Sequence, residues 1–248
     1  MRLAGKVAIV TGGGSGFGEG IVRKFVEEGA RVVLMDRDIA AAERVAGDHK
    51  GLAAPISGDV SSMDDFHAAR DHAIETFGGL HILVNNAGIG QAPMPMEDMD
   101  EALFERLFNV NIRSIYNGAR AVLPHFKAQK QGAILNVAST GGVSPRPNLT
   151  WYNASKGWGI AATKGMAVEL APFGIRVNAI NPVAGETPLL STFIGGDSDE
   201  IRARVVSTIP IGRLSTPADM GNAAAFLCSD EASMITGVDL LVDGGKCI

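Results

Sequence analysis

Tyr152 and Lys156 stand four residues apart in TWYNASKGWG, a spacing that puts both side chains on one face of a helix, one turn apart. An ammonium there favours tyrosinate, so a phenol with an ordinary pKa of about 10 becomes an acid and base usable nearer neutrality. Tyr-x-x-x-Lys alone is common on helices and equally fits a structural pair. Ser139 sharpens the reading: it follows the apolar run GAILNVA and precedes Tyr152 by thirteen residues, so its hydroxyl could hold the substrate oxygen that Tyr152 protonates.

A second constellation lies near the N-terminus, where Gly12, Gly13, Gly14, Ser15, Gly16, Phe17 and Gly18 stand between an apolar run and an amphipathic one. Glycines let backbone approach a pyrophosphate, and a helix N-terminus offers free N–H groups and a favourable dipole. The alternative is a tight structural turn. Asp36 closes the run RVVLMD, 24 residues after Gly12, where a carboxylate accepts from adenosine ribose hydroxyls and repels a 2′-phosphate. NAD is thus favoured over NADP, although Arg37 follows directly and could hold that phosphate, and an acidic strand end can be plain solvated surface. Asp59 and Val60 end the next run beside the expected adenine, with Asp59 either accepting from the adenine amino group or serving as a turn residue before a helix.

Other chemistries lack their residues. The histidines at 49, 67, 72, 81 and 125 form no H-E-x-x-H, and no G-x-S-x-G surrounds a serine suited to acyl transfer. Cys228 and Cys247 form no C-x-x-C, so neither a thiolate zinc site nor a disulfide framework is encoded, and no metal is expected.

The elements that must position these residues are legible as short Val- and Ile-rich runs alternating with helical spacing. Strands are predicted at 7–11, 31–35, 52–56, 82–85, 133–137, 176–180 and 238–242, and helices at 16–28, 39–47, 63–77, 101–129, 151–171 and 217–229. Most strands are apolar on consecutive residues, as a parallel sheet covered on both faces requires. The expected fold is α/β: a single-domain, Rossmann-type doubly wound, seven-stranded parallel sheet flanked by helices. Residues 187–214 break the rhythm, and Gly195-Gly196-Asp197 suggests a mobile insertion there.

With 248 residues, 46% of them hydrophobic, the chain can bury a sizeable core. A net charge of −5 argues against a nucleic-acid partner. No uninterrupted apolar stretch approaches the roughly 18 residues of a membrane span, and the apolar run at 7–10 is too short for a signal peptide. A soluble, cytoplasmic protein is expected.

Taken together, TGGGSGFG, Asp36, Asp59-Val60, Asn85-Asn86-Ala87-Gly88, Asn111 in NVNIRSIY, Ser139, Tyr152-x-x-x-Lys156, Asn181-Pro182 and VDGG resemble the short-chain dehydrogenase/reductase family over essentially the whole chain. The resemblance implies hydride transfer on nicotinamide. It makes Ser139, Tyr152 and Lys156 a catalytic triad, with Asn111 completing a tetrad through a water-mediated proton relay to Lys156. It further implies that Lys156 contacts the nicotinamide ribose, and that the turn of Asn85, Asn86, Ala87 and Gly88 stabilises the sheet and lines the adenosine ribose side, with a purely structural Asn85 as the alternative. Pro182 and Val183 are implied to line the nicotinamide pocket by their backbone, and Thr187 to touch its carboxamide or the diphosphate. Pro182-Val183 departs from the family's more frequent Pro-Gly, which bears on the loop's conformation.

Pro188, Leu189, Leu190, Phe193 and Ile194 offer no charge clamp, so a neutral or partly apolar secondary alcohol, cyclic or aryl, or its carbonyl is the expected substrate, with sugars and 3-oxoacyl thioesters left open. Gly90, Gln91, Ala92, Pro93 and Met94, with Val143, Ser144, Arg146, Asn148 and Trp151, could form the remaining wall. Arg146 is the one candidate for an anionic group, against an ordinary solvated arginine. Alternatives are an NADPH-dependent 3-oxoacyl carrier-protein reductase and a dinucleotide-binding redox sensor without turnover. Small residues along 157–167 permit close helix approach, and a homotetramer is expected by resemblance.

Overall fold

The computed structural model describes residues 1–194 and 198–248. Its seven strands, β1 (Val7–Thr11), β2 (Arg31–Asp36), β3 (Ala53–Ser57), β4 (Ile82–Asn85), β5 (Gly132–Val137), β6 (Ile175–Pro182) and β7 (Asp239–Val242), form one sheet in the order β3-β2-β1-β4-β5-β6-β7. Every neighbouring pair is parallel. The seven expected strands are all present, with ends moved by one or two residues.

Alternation along the strands feeds two apolar layers. Ala8, Val10, Val32 and Leu34 face one layer with α1 (Gly16–Glu27), α2 (Ile39–Gly47) and, further along the chain, α10 (Pro217–Cys228). Val7, Ile9, Val33 and Met35 face the other, against α3 (Met63–Phe77) and two later helices, α5 (Ser114–Gln129) and α7 (Thr150–Leu170). Fully burying such a side chain contributes about 1.5–3 kcal/mol, so both faces of every central strand stabilise the sheet. Gly78 and Gly174 end the segments before them with φ of 81° and 70°, a left-handed conformation that costs glycine little. At the start of α10, Thr216 and Asp219 form a reciprocal capping box around Pro217.

Strand order reverses direction between β1 and β4, which opens a crevice at the carboxyl ends of the strands. Close helix packing aims α1 at it: a Cβ on Gly221 would lie 2.6 Å from the Gly20 carbonyl oxygen.

The predicted helix over 101–129 is three pieces: α4 (Glu101–Leu107), a π-helical turn (Phe108–Arg113) and α5. The wider turn carries Asn111 inward, where it is buried. A short α6 (Thr140–Val143), unforeseen, follows β5. The expected insertion contains α8 (Leu190–Ile194) and α9 (Asp199–Val206), and Val183, Leu190, Ile209 and Leu214 form a small apolar cluster of their own. Gly195-Gly196-Asp197, on which its mobility was expected, lies outside the described residues.

Candidate active site

At the sheet's crossover, Thr11 ties two strand ends together. Its hydroxyl accepts from the N–H groups of Asn86 and Ala87, both at 3.0 Å, and donates to the Val84 carbonyl at 3.3 Å. Asn86 returns the contact, its Nδ2 donating to the carbonyls of Thr11 and Gly12 at 2.8 and 3.2 Å. Gly18 packs so tightly on Gly12 that a Cβ there would run into the Gly12 carbonyl. Ser15 caps α1 in an extended conformation with no side-chain hydrogen bond, so the first N–H groups of that helix remain available. Arg44 braces the loop from outside, donating to the Gly14 carbonyl at 2.9 Å and pairing with Glu19. Arg44 and Arg23 together hold Glu19 below the usual carboxylate range.

Asp36 is oriented by backbone. Its Oδ2 accepts from Gly14 N–H at 2.9 Å and its Oδ1 from Asp38 N–H at 3.0 Å, and a Cβ on Gly14 would lie 2.9 Å from Oδ2. Among the described residues it has no cationic partner, so lone pairs remain for a further donor. One Asp59 oxygen accepts from the hydroxyl and N–H of Ser61 at 2.7 and 2.8 Å, bonds that hold the carboxyl below its ordinary range with Arg37 assisting. The turn role is therefore real, and the second oxygen stays available.

A cleft of about 410 Å³ runs over these groups. Of the residues singled out in the sequence as catalytic or cofactor-binding, all but Gly13, Gly14, Asn85 and Asn111 border it. A dinucleotide fits the donor set: a glycine cradle that a Cβ would fill, an open helix N-terminus and an uncommitted carboxylate at the second strand's end.

At the other end, Ser139 caps α6, its Oγ accepting from Gly141 N–H at 3.0 Å. Tyr152 and Lys156 project from α7, with the lysine Nζ 5.9 Å from the tyrosine ring centroid and 3.0 Å from the Val137 carbonyl oxygen. Burial pushes the Tyr152 phenol up, a hydrogen bond with Ser139 and the charge of Arg146 pull it the other way, and burial takes Lys156 down to about 8.

Asn111 sits behind this pair. Its Oδ1 accepts from Ile89 N–H at 2.9 Å, and its Nδ2 donates to the Ile89 carbonyl at 3.0 Å and to Ser155 Oγ at 3.1 Å. Gly88 keeps a gap between the two: a Cβ there would lie 3.2 Å from Lys156 Nζ and 3.4 Å from Asn111 Oδ1.

The comparisons with known proteins agree with this geometry. Residues 12–246 match the family model described as enoyl-(acyl carrier protein) reductase, which belongs to the short-chain dehydrogenases/reductases. The chain belongs to that family. It is similar to 4-formylbenzenesulfonate dehydrogenase of Comamonas testosteroni, 47% identical with all of both chains covered. Cis-4-hydroxycyclohexanecarboxylate dehydrogenase of Sinomonas cyclohexanicum is 38% identical over 98% of this chain and 97% of its own. Among solved structures, 3-ketoacyl-(acyl-carrier-protein) reductase from Brucella melitensis, complexed with NADH, superposes with a TM-score of 0.95 at 52% identity, covering 99% of this chain and 100% of the other. This short-chain dehydrogenase/reductase is accordingly an oxidoreductase acting on CH–OH groups.

Its departure from the family's Pro-Gly at Pro182-Val183 needs no special backbone, because Val183 does not have a positive φ. Thr187 lies over the start of α1, its Cβ 3.2 Å from where a Gly16 Cβ would stand. Asn85 is a sheet residue: its Nδ2 donates to Asn136 Oδ1 at 2.9 Å, and Asn136 donates to Thr163 Oγ1 at 2.8 Å. Sequence reasoning missed Ser155, which joins Asn111 to the Tyr152 carbonyl by donating to it at 2.7 Å, and Arg44. Gln91, expected only as a wall, accepts from Tyr152 N–H at 3.1 Å. Among the described residues no helix is long and apolar enough to cross a membrane.

Proposed function

We propose that the protein interconverts a secondary alcohol on or beside a ring with its carbonyl, with NAD as the hydride carrier. The observation that carries this reading is the convergence of Ser139 and Tyr152 on one cleft whose far end presents Asp36 beside a glycine cradle. When bound, NAD⁺ would supply the hydride acceptor and a positive ring that favours tyrosinate. The Ser139 hydroxyl orients the substrate oxygen, and Tyr152 Oη takes its proton during oxidation or returns it during reduction. Lys156, held by the Val137 carbonyl, would offer its remaining donors to the nicotinamide ribose, with Asn111 placed beside it across Gly88. Asp36 accepts from the adenosine ribose hydroxyls, and the open N–H groups of α1 receive the diphosphate with Thr187 above them.

Residues 187–214 form the substrate-specificity element. Phe193 lies on Tyr152 with ring centroids 4.8 Å apart, an aromatic wall suited to a ring. The two dehydrogenases named above carry a benzene or cyclohexane ring in their named substrates, along with a sulfonate or carboxylate. A second reading, reduction of a 3-oxoacyl carrier-protein thioester, is favoured by the likeness to the Brucella melitensis reductase, although that complex holds NADH.

The assembly in this reading is a homotetramer, supported by apolar side chains on the outer faces of α4, α5 and α7, where Phe104, Tyr116, Trp151 and Trp158 are exposed and Val168 is 81% exposed. A cytoplasmic setting fits two free thiols.

Initial rates with NAD⁺ and NADP⁺ against secondary, cyclic and aryl alcohols and a 3-oxoacyl thioester, for wild type and Tyr152→Phe, test the reading. The expected result is NAD⁺-linked oxidation of a ring alcohol that falls about 10²–10⁴-fold without the phenol hydroxyl, with NADH binding retained. Near-normal turnover by Tyr152→Phe overturns it.

A further inference from the structure

We propose that Arg146 is an anion subsite, receiving a carboxylate or sulfonate on the substrate ring while Ser139 and Tyr152 hold its hydroxyl. The proposal rests on the ring-alcohol reading above and makes the substrate class anionic, where the sequence favoured a neutral one.

Arg146 borders the cleft together with Ser139, Tyr152 and Phe193. Its backbone is fixed relative to the reacting groups: Asn153, the residue after Tyr152, donates from Nδ2 to the Arg146 carbonyl at 2.8 Å. Two residues on, the Asn148 carbonyl accepts from Met94 N–H at 2.9 Å and Gln91 Nε2 at 3.4 Å, holding Asn148 at a left-handed φ of 63°. The loop is thus tied to α7 and to the 91–94 segment.

The guanidinium itself is uncommitted. Its Nε is buried without a hydrogen-bond partner, and among the described residues no carboxylate pairs with it. Buried donors of this kind are ordinarily satisfied, and a guanidinium fork matches two oxygens of a carboxylate or sulfonate. The cleft's other charges are spoken for or lie elsewhere on the sheet: Lys156 donates to Val137, Asp36 ends β2, and Arg37 and Asp59 follow β2 and β3. Arg146 also acts on Tyr152 through its charge, lowering it against burial. Arg146 and Tyr152 line the same cleft, where Leu189, Leu190 and Phe193 supply apolar walls.

The test compares 4-(1-hydroxyethyl)benzoate and its sulfonate analogue with neutral 1-phenylethanol, in wild type, Arg146→Gln and Arg146→Lys. The product analogue 4-acetylbenzoate is titrated calorimetrically into each NADH-loaded protein, and the NADH affinity is measured alongside. Wild type is expected to prefer the anionic alcohols. Arg146→Gln should lower the anionic-to-neutral ratio of kcat/KM by about 10–100-fold, the size of a lost charge-assisted pair, and weaken 4-acetylbenzoate to match, with Arg146→Lys recovering part of both. Equal losses on anionic and neutral alcohols would mean that Arg146 acts only through Tyr152, and a matching loss of NADH affinity that it serves the cofactor's phosphates; either overturns the proposal. If no ring alcohol is oxidised, the ring-alcohol reading fails, and 4-acetylbenzoate binding that Arg146→Gln abolishes still sustains the anion subsite. Absence of 4-acetylbenzoate binding to wild type overturns it.

Discussion

Lys156 donates to the carbonyl oxygen of Val137 at 3.0 Å, from a buried position with no carboxylate partner among the described residues. Burial therefore lowers its value from 10.5 to about 8. Between these two values the unfolded chain binds the proton and the folded chain does not, so this residue's contribution to unfolding free energy rises with pH across that window. Below about 8 both states are charged and the folded protein carries the full cost of burying the ammonium. The stability of the cofactor-free wild type minus that of Lys156→Met, measured by urea unfolding, should grow from pH 8 toward 10.5 by at most about 1.4 kcal/mol per pH unit. A flat difference would show that Lys156 keeps its ordinary value.

Asp36 offers a sharper assay of cofactor choice. Asp36→Ala removes the proposed ribose acceptor and a negative charge that would oppose a 2′-phosphate, while Arg37 remains at the cleft. Losing hydrogen bonds to a charged acceptor costs about 1.5–3 kcal/mol, so kcat/KM with NAD⁺ should fall roughly 10–100-fold as the NADP⁺-to-NAD⁺ ratio rises. Gly14 N–H also loses its partner, which should lower Tm modestly. An unchanged cofactor ratio would place selection elsewhere.

For Asn111, the expected loss is first structural. Asn111→Leu keeps the branched shape but leaves both backbone groups of Ile89 and the Ser155 hydroxyl without this partner. An orphaned buried group costs about 1–3 kcal/mol; the Ile89 groups are part-buried and Ser155 keeps the Tyr152 carbonyl, so unfolding free energy should drop by about that amount. Asn111→Asp retains the acceptor for Ile89 N–H and should lie between. Equal stability for all three proteins would show that the Ile89 contact carries no weight.

How much of this was readable beforehand follows from the range of each signal. Val and Ile on consecutive positions mark β1 and β2 without tertiary information, because strands covered on both faces have no polar side. The π-helical turn at 108–113 was hidden within the expected helix because one widened turn adds too little phase to disturb the apolar spacing. Asn111 was found through its motif, but its grip on Ile89 joins residues 22 apart and has no local signature. Tyr152 and Lys156 were legible as a one-turn pair, yet the direction of their shifts depends on how deeply the fold buries them. Arg146 was visible as a charge near the substrate wall. That its Nε is buried and unmatched emerges only once the loop folds against α7.

Phe193 gives a prediction that joins the specificity element to the chemistry. Its ring meets Tyr152 at 56° between planes, and Gly90 makes room for it, since a Cβ there would lie 2.5 Å from the ring. Phe193→Ala removes an aromatic contact worth about 0.5–1.5 kcal/mol beyond its buried area, so KM for ring alcohols should rise roughly 2–10-fold, and more than for an acyclic secondary alcohol. It also admits water beside a phenol that burial holds above its ordinary value. Better solvated tyrosinate is easier to form, so the pH at which the oxidation rate rises should move down in the variant. Spectrophotometric titration of the phenol in the cofactor-free proteins separates the two effects: a downward shift in Phe193→Ala confirms drying by this ring, whereas an unchanged value with a raised KM would leave Phe193 a substrate wall alone.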